Sequence, residues 1–321
     1  MKISFKNSCL ILCCTLLFLS CTHDKKLPDE IASIPVTIAV ARFDQAFANA
    51  TISNWKNLKQ QYPYLFPEGY TDDFWAEKLS DTIQLEINQE VNQVFPESTL
   101  LNEELSQFYK HVTYYYPDAI VPKVITITSE RDYRNRAILT DTLLILALDN
   151  YLGEDHHFYS DIPVYQAKNL KKEHIIIDVA TAFAKTKVPS PHTFSFMEAM
   201  IYEGKQLYMM EQLLTLKPKH EIFGYTPEEY QFAVDSEVNI WEYFVGKELL
   251  FSTDRKLLNR FINPAPFSKF YLEFDNETPG RLGRYIGYQI VASYMKKNKL
   301  PLKTMLTQNA ETIFNNAKYK P

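Results

Sequence analysis

The sequence predicts an α+β fold, a mostly helical single domain with a small β-sheet. Three observations lead there. Apolar residues recur at helical spacing over long segments, as at Phe74, Leu79, Ile83, Ile87, Val91 and Val94. β-Branched runs of strand length are confined to residues 124–128 and 142–148. Beyond Val36 no Ser/Gly/Pro tract, charge block or repeat interrupts the chain, so one body over residues 36–321 is expected.

Taken in order, residues 36–40 read as a strand entering the Arg42, Phe43, Asp44, Phe47 segment. Asn54 is placed to cap a short helix that ends at Tyr62-Pro63. Residues 74–94 read as one helix, and 100–116 as another, stopped by Pro117. The two β runs are bridged by a polar turn region, 129–140, and are antiparallel if they form a hairpin. Residues 149–163 form a loop, and 173–185 and 193–216 are helical. Pro227 opens a further helix at its first position, where a missing N–H is harmless, with Val234, Val238, Trp241 and Val245 as its inner face. Pro264 and Pro266 impose an extended, aromatic-rich stretch over 261–274. Pro279-Gly280 makes a turn, and a last strong helix covers 282–297.

The N-terminus carries its own signal. Lys2 and Lys6 precede an apolar run at 9–19, too short for the ~20 residues that span a bilayer and suited to the core of a signal peptide over residues 1–20. The run ends Leu17-Phe18-Leu19-Ser20-Cys21, which resembles a bacterial lipobox with Phe18 where Leu is usual. All four cysteines fall within the first 21 residues, so the processed chain keeps Cys21 alone. It has no pair for a disulfide and no thiolate set for zinc, and Cys21 reads as the lipid attachment site. More than one acyl chain, at ~0.8 kcal/mol per buried CH₂, makes such an anchor stable. Residues 21–35 then form a polar tether.

The 321-residue chain has a net charge of −5. Without Lys2 and Lys6, 32 basic residues face 39 acidic ones, and this argues against nucleic acid as a partner. Eight glycines leave little material for phosphate loops, and neither a Walker A nor a G-x-G-x-x-G motif is present. No two histidines stand one helical turn apart with a glutamate between them, so no cofactor or metal is expected. Asp155-His156-His157 reads as a solvated loop. Glu203 sits at the edge of an apolar helix face beside Gly204, a residue that costs about 1 kcal/mol in a helix and points to close packing. Gly280, Gly283 and Gly287 form a smooth stripe for another backbone. Phe267, Lys269, Phe270 and Tyr271, stiffened by the prolines, read either as core or as a partner surface.

Residues 265–295 (APFSKFYLEFDNETPGRLGRYIGYQIVASYM) closely resemble the GldB family of gliding-motility lipoproteins of Bacteroidetes. Tyr62-Pro63 with Phe66-Pro67, residues 148–153 (LDNYLG), 200–205 (MIYEGK), 240–244 (IWEYF) and 318–321 (KYKP) extend the resemblance over essentially the whole chain. It implies a lipid-anchored protein facing the periplasm, without enzymatic activity, whose partners are the gliding and secretion machinery. The order of elements is also similar to predicted zinc peptidases that carry HExxH, then E-G, then a P-x-x-x-G-Y helix. Glu203-Gly204 and residues 279–288 stand at the last two positions, while the first, near residues 175–183, offers only Asp178. That likeness implies a peptidase scaffold without its zinc site, with Asp178 and Glu203 as a relic polar site. Two other functions stay open at this point: a metal-assisted hydrolase using Glu203 with His174 or His192, and a small-ligand or peptide binder using an inherited cleft.

Overall fold

The computed structural model describes residues 29–191 and 195–321. The signal segment, Cys21, much of the expected tether and His192 lie outside the described residues. The first part of the chain runs α1 (Asp29–Ala32), β1 (Ala41–Arg42), α2 (Phe43–Ala48), α3 (Trp55–Gln61), α4 (Asp72–Lys78), α5 (Thr82–Val94) and α6 (Thr99–Tyr115). Ile31 of α1 is buried, and the Ala32 carbonyl accepts from Lys110 Nζ of α6 at 2.8 Å, so the packed body begins inside the expected tether. The strand expected at 36–40 is not formed. Side chains of α6 take its amides instead: Ser106 Oγ accepts from Ile38 at 2.8 Å and Asn102 Oδ1 from Val40 at 3.0 Å. The strand that does form, β1, is two residues long.

Residues 74–94 are two helices rather than one. Asp81 accepts the Gln84 amide and starts α5 afresh, which leaves Phe74 and Ile83 exposed. Between β2 (Lys123–Ile127) and β4 (Leu143–Ala147) lies a strand the polar turn concealed, β3 (Ala137–Leu139). The sheet order is β1-β2-β4-β3. The hairpin is β3–β4, and β2 runs parallel to both β1 and β4, so the two β-rich runs form no hairpin and pair parallel. The intervening segment is long enough to return the chain for parallel pairing. Buried Asp149 shapes its start by accepting the amides of Ser129 at 2.9 Å and Arg131 at 2.6 Å.

After α7 (Val164–Ala167) come α8 (Ile175–Lys187) and α9 (Phe196–Leu213), the latter opened by a Ser195/Glu198 capping box. The remainder runs α10 (Lys219–Phe223), α11 (Pro227–Asp235), α12 (Glu237–Gly246), α13 (Lys256–Phe261), α14 (Leu282–Asn298), α15 (Leu302–Thr307) and α16 (Ala310–Ala317). Pro227 does occupy the first position of α11. The inner face expected from Val234, Val238, Trp241 and Val245 is wrong, however. The helix stops at Asp235 and restarts, and Ala233, Ile240 and Phe244 are buried while the three valines are exposed.

The central feature is the α9–α14 pair. A Cβ on Gly287 would lie 1.8 Å from the Met200 carbonyl oxygen, and one on Gly204 would lie 2.2 Å from that of Gly287. The two backbones touch, as the glycine stripe predicts. The last helices lock onto this pair. Buried Lys205 donates to the Leu306 and Gln308 carbonyls, Lys297 to those of Ala317 and Lys318, and Tyr319 Oη to Glu237 at 2.7 Å. A second, smaller core gathers Phe43, Phe47, Trp55, Tyr62, Phe66 and Ile125 beneath the sheet's β1 side. No helix among the described residues is long and apolar enough to cross a membrane.

Candidate functional site

A cleft of about 750 Å³ opens between β3, α8, the Gly224 turn and the start of α14. Six Lys/Arg side chains and one carboxylate line it (Arg134, Arg136, Lys168, Lys185, Arg281, Arg284, and Asp178), in a chain whose net charge is −5.

Asp178 enters from the first turn of α8. Its carboxylate accepts from Arg136 Nε at 2.5 Å and Nη2 at 2.9 Å, and from Tyr151 Oη at 2.9 Å. Burial pushes this carboxyl up, but Arg136, His174 and the hydrogen bonds prevail and hold it below the ordinary carboxylate range. His174 lies one turn back, its Nε2 3.8 Å from Asp178. Burial drives its pKa down to about 4; Asp178 opposes that shift, and Arg136, Lys171 and Arg281 add to it. The imidazole is therefore neutral at neutral pH.

Glu203 belongs to α9 and accepts from Arg284 Nε of α14 at 2.7 Å. Both residues expected as a relic polar site are thus engaged by arginines on the cleft's floor, in two separate ion pairs. Asp178 lines the cleft, whereas Glu203 is not among its lining residues. Among the described residues no group of three His, Cys, Asp or Glu is placed to hold a metal ion. His156 and His157 are not simply solvated. Their rings stack at 4.4 Å, and they reach Glu90 and Glu86 of α5 at 3.2 Å each.

Arg281 escaped the sequence reading. It precedes α14 in the left-handed region (φ 66°), directly after the Pro279-Gly280 turn, where a Cβ on Gly280 would meet the Ala265 carbonyl at 2.2 Å. Its Nε donates to the Ile262 carbonyl at 3.1 Å, and no carboxylate among the described residues pairs with it. Burial and then the neighbouring Arg284 lower its pKa to about 9, against the opposing pull of Glu203 and Tyr225. The only hint in sequence is two arginines at a helix start with no acid in the first turn.

The aromatic segment is divided by the fold. Phe270 is buried among Tyr243, Phe244 and Phe261. Phe267 is half-buried with Lys269 over its ring, and Lys269 itself is exposed. Tyr271 is 73% and Phe274 52% exposed. Asp275 accepts the amides of Phe270 at 3.1 Å and Tyr271 at 2.8 Å, and Arg260 lies over the Tyr271 ring at 4.4 Å, so the exposed turn is rigid.

The His174 environment has a measurable sign. Its folded pKa, about 4, lies below the unfolded 6.5, so the unfolded chain takes up the proton first. Stability is full above pH 6.5 and falls toward pH 4. Chemical denaturation at pH 7.5 and 4.5 is expected to differ by about 2.5 kcal/mol from this group. The His174→Gln variant removes that part of the slope; His111, also depressed by burial, supplies a remainder. An unchanged slope in His174→Gln would contradict the assignment.

A family profile described as gliding motility protein GldB matches residues 24–321. No curated protein and no solved structure gives a significant match.

Proposed function

The chain belongs to the GldB family of gliding-motility proteins, and from that premise we propose that it holds partner proteins of the gliding and associated secretion machinery, without catalysis, on the periplasmic side of a membrane to which lipidated Cys21 anchors it. The observation that carries partner binding is the rigid exposed turn. Tyr271, Leu272 and Phe274 present apolar area to solvent on a backbone that Asp275 already fixes. Large rings ordered in advance lose little entropy on docking, which is what an interface anchor requires. The ion pairs of Asp178 and Glu203 support the non-catalytic part, because each carboxylate is already neutralised by a guanidinium.

The double variant Tyr271→Ser/Phe274→Ser tests this reading. Both sites are exposed, so stability should change by less than about 0.5 kcal/mol. Cells carrying the variant should lose gliding, and membrane cross-linking should lose neighbours that the native protein captures. Full motility with unchanged cross-links would overturn the assignment. Phe270→Ala is unsuited to this purpose, since Phe270 is core.

A further inference from the structure

We propose that the cleft beside β3 binds an extended peptide, which adds as a strand to the open edge of β3 and lays a carboxylate against Arg281. The inference stands apart from the aromatic turn, and either can fail without the other.

The strand edge is the first observation. β3 is the last strand of the sheet. Ala147 N–H donates to Arg136 O at 2.9 Å and Thr140 N–H to Leu143 O at 2.8 Å, which fixes residues 136 and 140 as inward-bonding positions. Antiparallel pairing alternates, so Ile138 also bonds inward, while Ala137 and Leu139 turn their N–H and C=O groups away from β4. Those groups have no hydrogen-bond partner among the described residues. Ala137 and Ile138 line the cleft. An unpaired edge of this kind is a template for a further strand.

Charge is the second. Arg136 is neutralised by Asp178, Lys168 by Glu229 and Arg284 by Glu203. His174 is neutral at neutral pH. Arg281, at the N-terminal end of a 17-residue helix with no acid in its first turn, forms no ion pair with a carboxylate among the described residues, and Glu203, already bonded to Arg284, offsets its charge only in part. The helix dipole adds to the same positive field. Arg134 and Lys185, which have no carboxylate partner among the described residues, extend it along the cleft. A guanidinium fork matches a carboxylate in shape as well as charge. Strand edge and guanidinium line one cavity, whose 750 Å³ falls within the roughly 300–1,000 Å³ of ligand sites. Ile138, Ile177, Tyr165 and Phe223 give it apolar walls for side chains. A free phosphate would engage the arginine and leave the strand edge unused.

The test uses the processed chain and three pools of fluorescent, random-sequence heptapeptides. One ends in a free carboxylate, one is amidated with a central Glu, and one is amidated and lacks acids. Binding is read by anisotropy, and backbone hydrogen exchange is followed at Ala137 and Leu139. At least one acidic pool should bind and slow exchange at both amides, and the acid-free pool should not. Preference for the first pool identifies a chain terminus as the source of the carboxylate, and preference for the second an internal side chain. Arg281→Gln should weaken binding roughly tenfold or more, the worth of one charge-assisted hydrogen bond. Ala137→Pro removes an outward N–H and should abolish the exchange protection at Leu139, the one of the two amides it keeps. The proposal is overturned if neither acidic pool binds, if the acid-free pool binds as well, or if inorganic phosphate binds where the pools do not. In the native protein, unaltered exchange at Ala137 and Leu139 overturns it regardless of how the variants fold.

Discussion

Gly287→Ala is expected to lower stability by at least about 3 kcal/mol and the melting temperature by roughly 5–10 °C. The added methyl would sit 1.8 Å from the Met200 carbonyl oxygen, and the next contacts are also Met200 backbone. Backbone of a packed helix cannot step aside as a side-chain tip can. The α9–α14 pair must separate, and the residues it buries, among them Ile201, Ile286 and Ile290, lose contact together. Gly204→Ala meets the Gly287 carbonyl at 2.2 Å and should behave alike. Gly246→Ala, with nothing within 4 Å, provides the control and should be neutral or stabilising by up to about 1 kcal/mol. Denaturant titration of the three proteins decides the matter. A Gly287→Ala protein as stable as the control would mean that the helices do not approach as described.

The Asp178→Ala substitution should destabilise by about 3–5 kcal/mol, because it leaves the Arg136 guanidinium buried without its counter-charge and the Tyr151 hydroxyl without its acceptor. Replacing both partners, as Arg136→Met with Asp178→Leu, removes the stranded charge and should recover most of the loss. A double-mutant cycle on these positions is expected to show strong coupling. A single-substitution effect under about 1 kcal/mol would show that the pair is solvated and dispensable. Acid acts in the same direction. The folded carboxyl titrates below 3.8, so its contribution is whole above that pH and disappears as the pH falls through the lower folded value.

The two halves of the sequence differ in how plainly they announce their structure. The final helix was legible because Pro279-Gly280 marks its start and Gly283, Gly287, Ile290 and Tyr294 trace one face, all of them buried. Residues 74–94 misled because the apolar spacing continues across the break at Asp81; a capping aspartate three residues before Gln84 was the sign that α5 begins there. Sheet topology was hidden for a different reason. Three residues, Ala137 to Leu139, are too few to register as a strand against polar neighbours, and without β3 the two stronger runs look like a hairpin. The valines at 234, 238 and 245 are spaced for a buried face, but the interruption at Ser236 ends the period that made them one. Of the site, Asp178 and Glu203 were found as isolated acids. Their arginine partners were not, since residues 42 and 81 positions away in sequence meet only through tertiary packing. Arg281 gave almost no sign, because what marks it is the lack of an ion-pair partner among the described residues, with Glu203 nearby but bonded to Arg284.

Lys205 lies well before the residues that receive its protons, the carbonyls of 306 and 308, and Glu237 takes the phenol of Tyr319 on one oxygen and Tyr285 with Gln289 on the other. In a nascent chain that has not reached residues 306 and 308 the Lys205 ammonium is hydrated, whereas in the finished protein burial lowers its pKa to about 8 and the two carbonyls take the place of water. The segment made last therefore supplies the acceptors that let Lys205 be buried beside the α9–α14 pair. A chain cut before residue 306 would leave this ammonium either wet or buried without an acceptor, so the C-terminal helices belong to the central core and are no appendage to it.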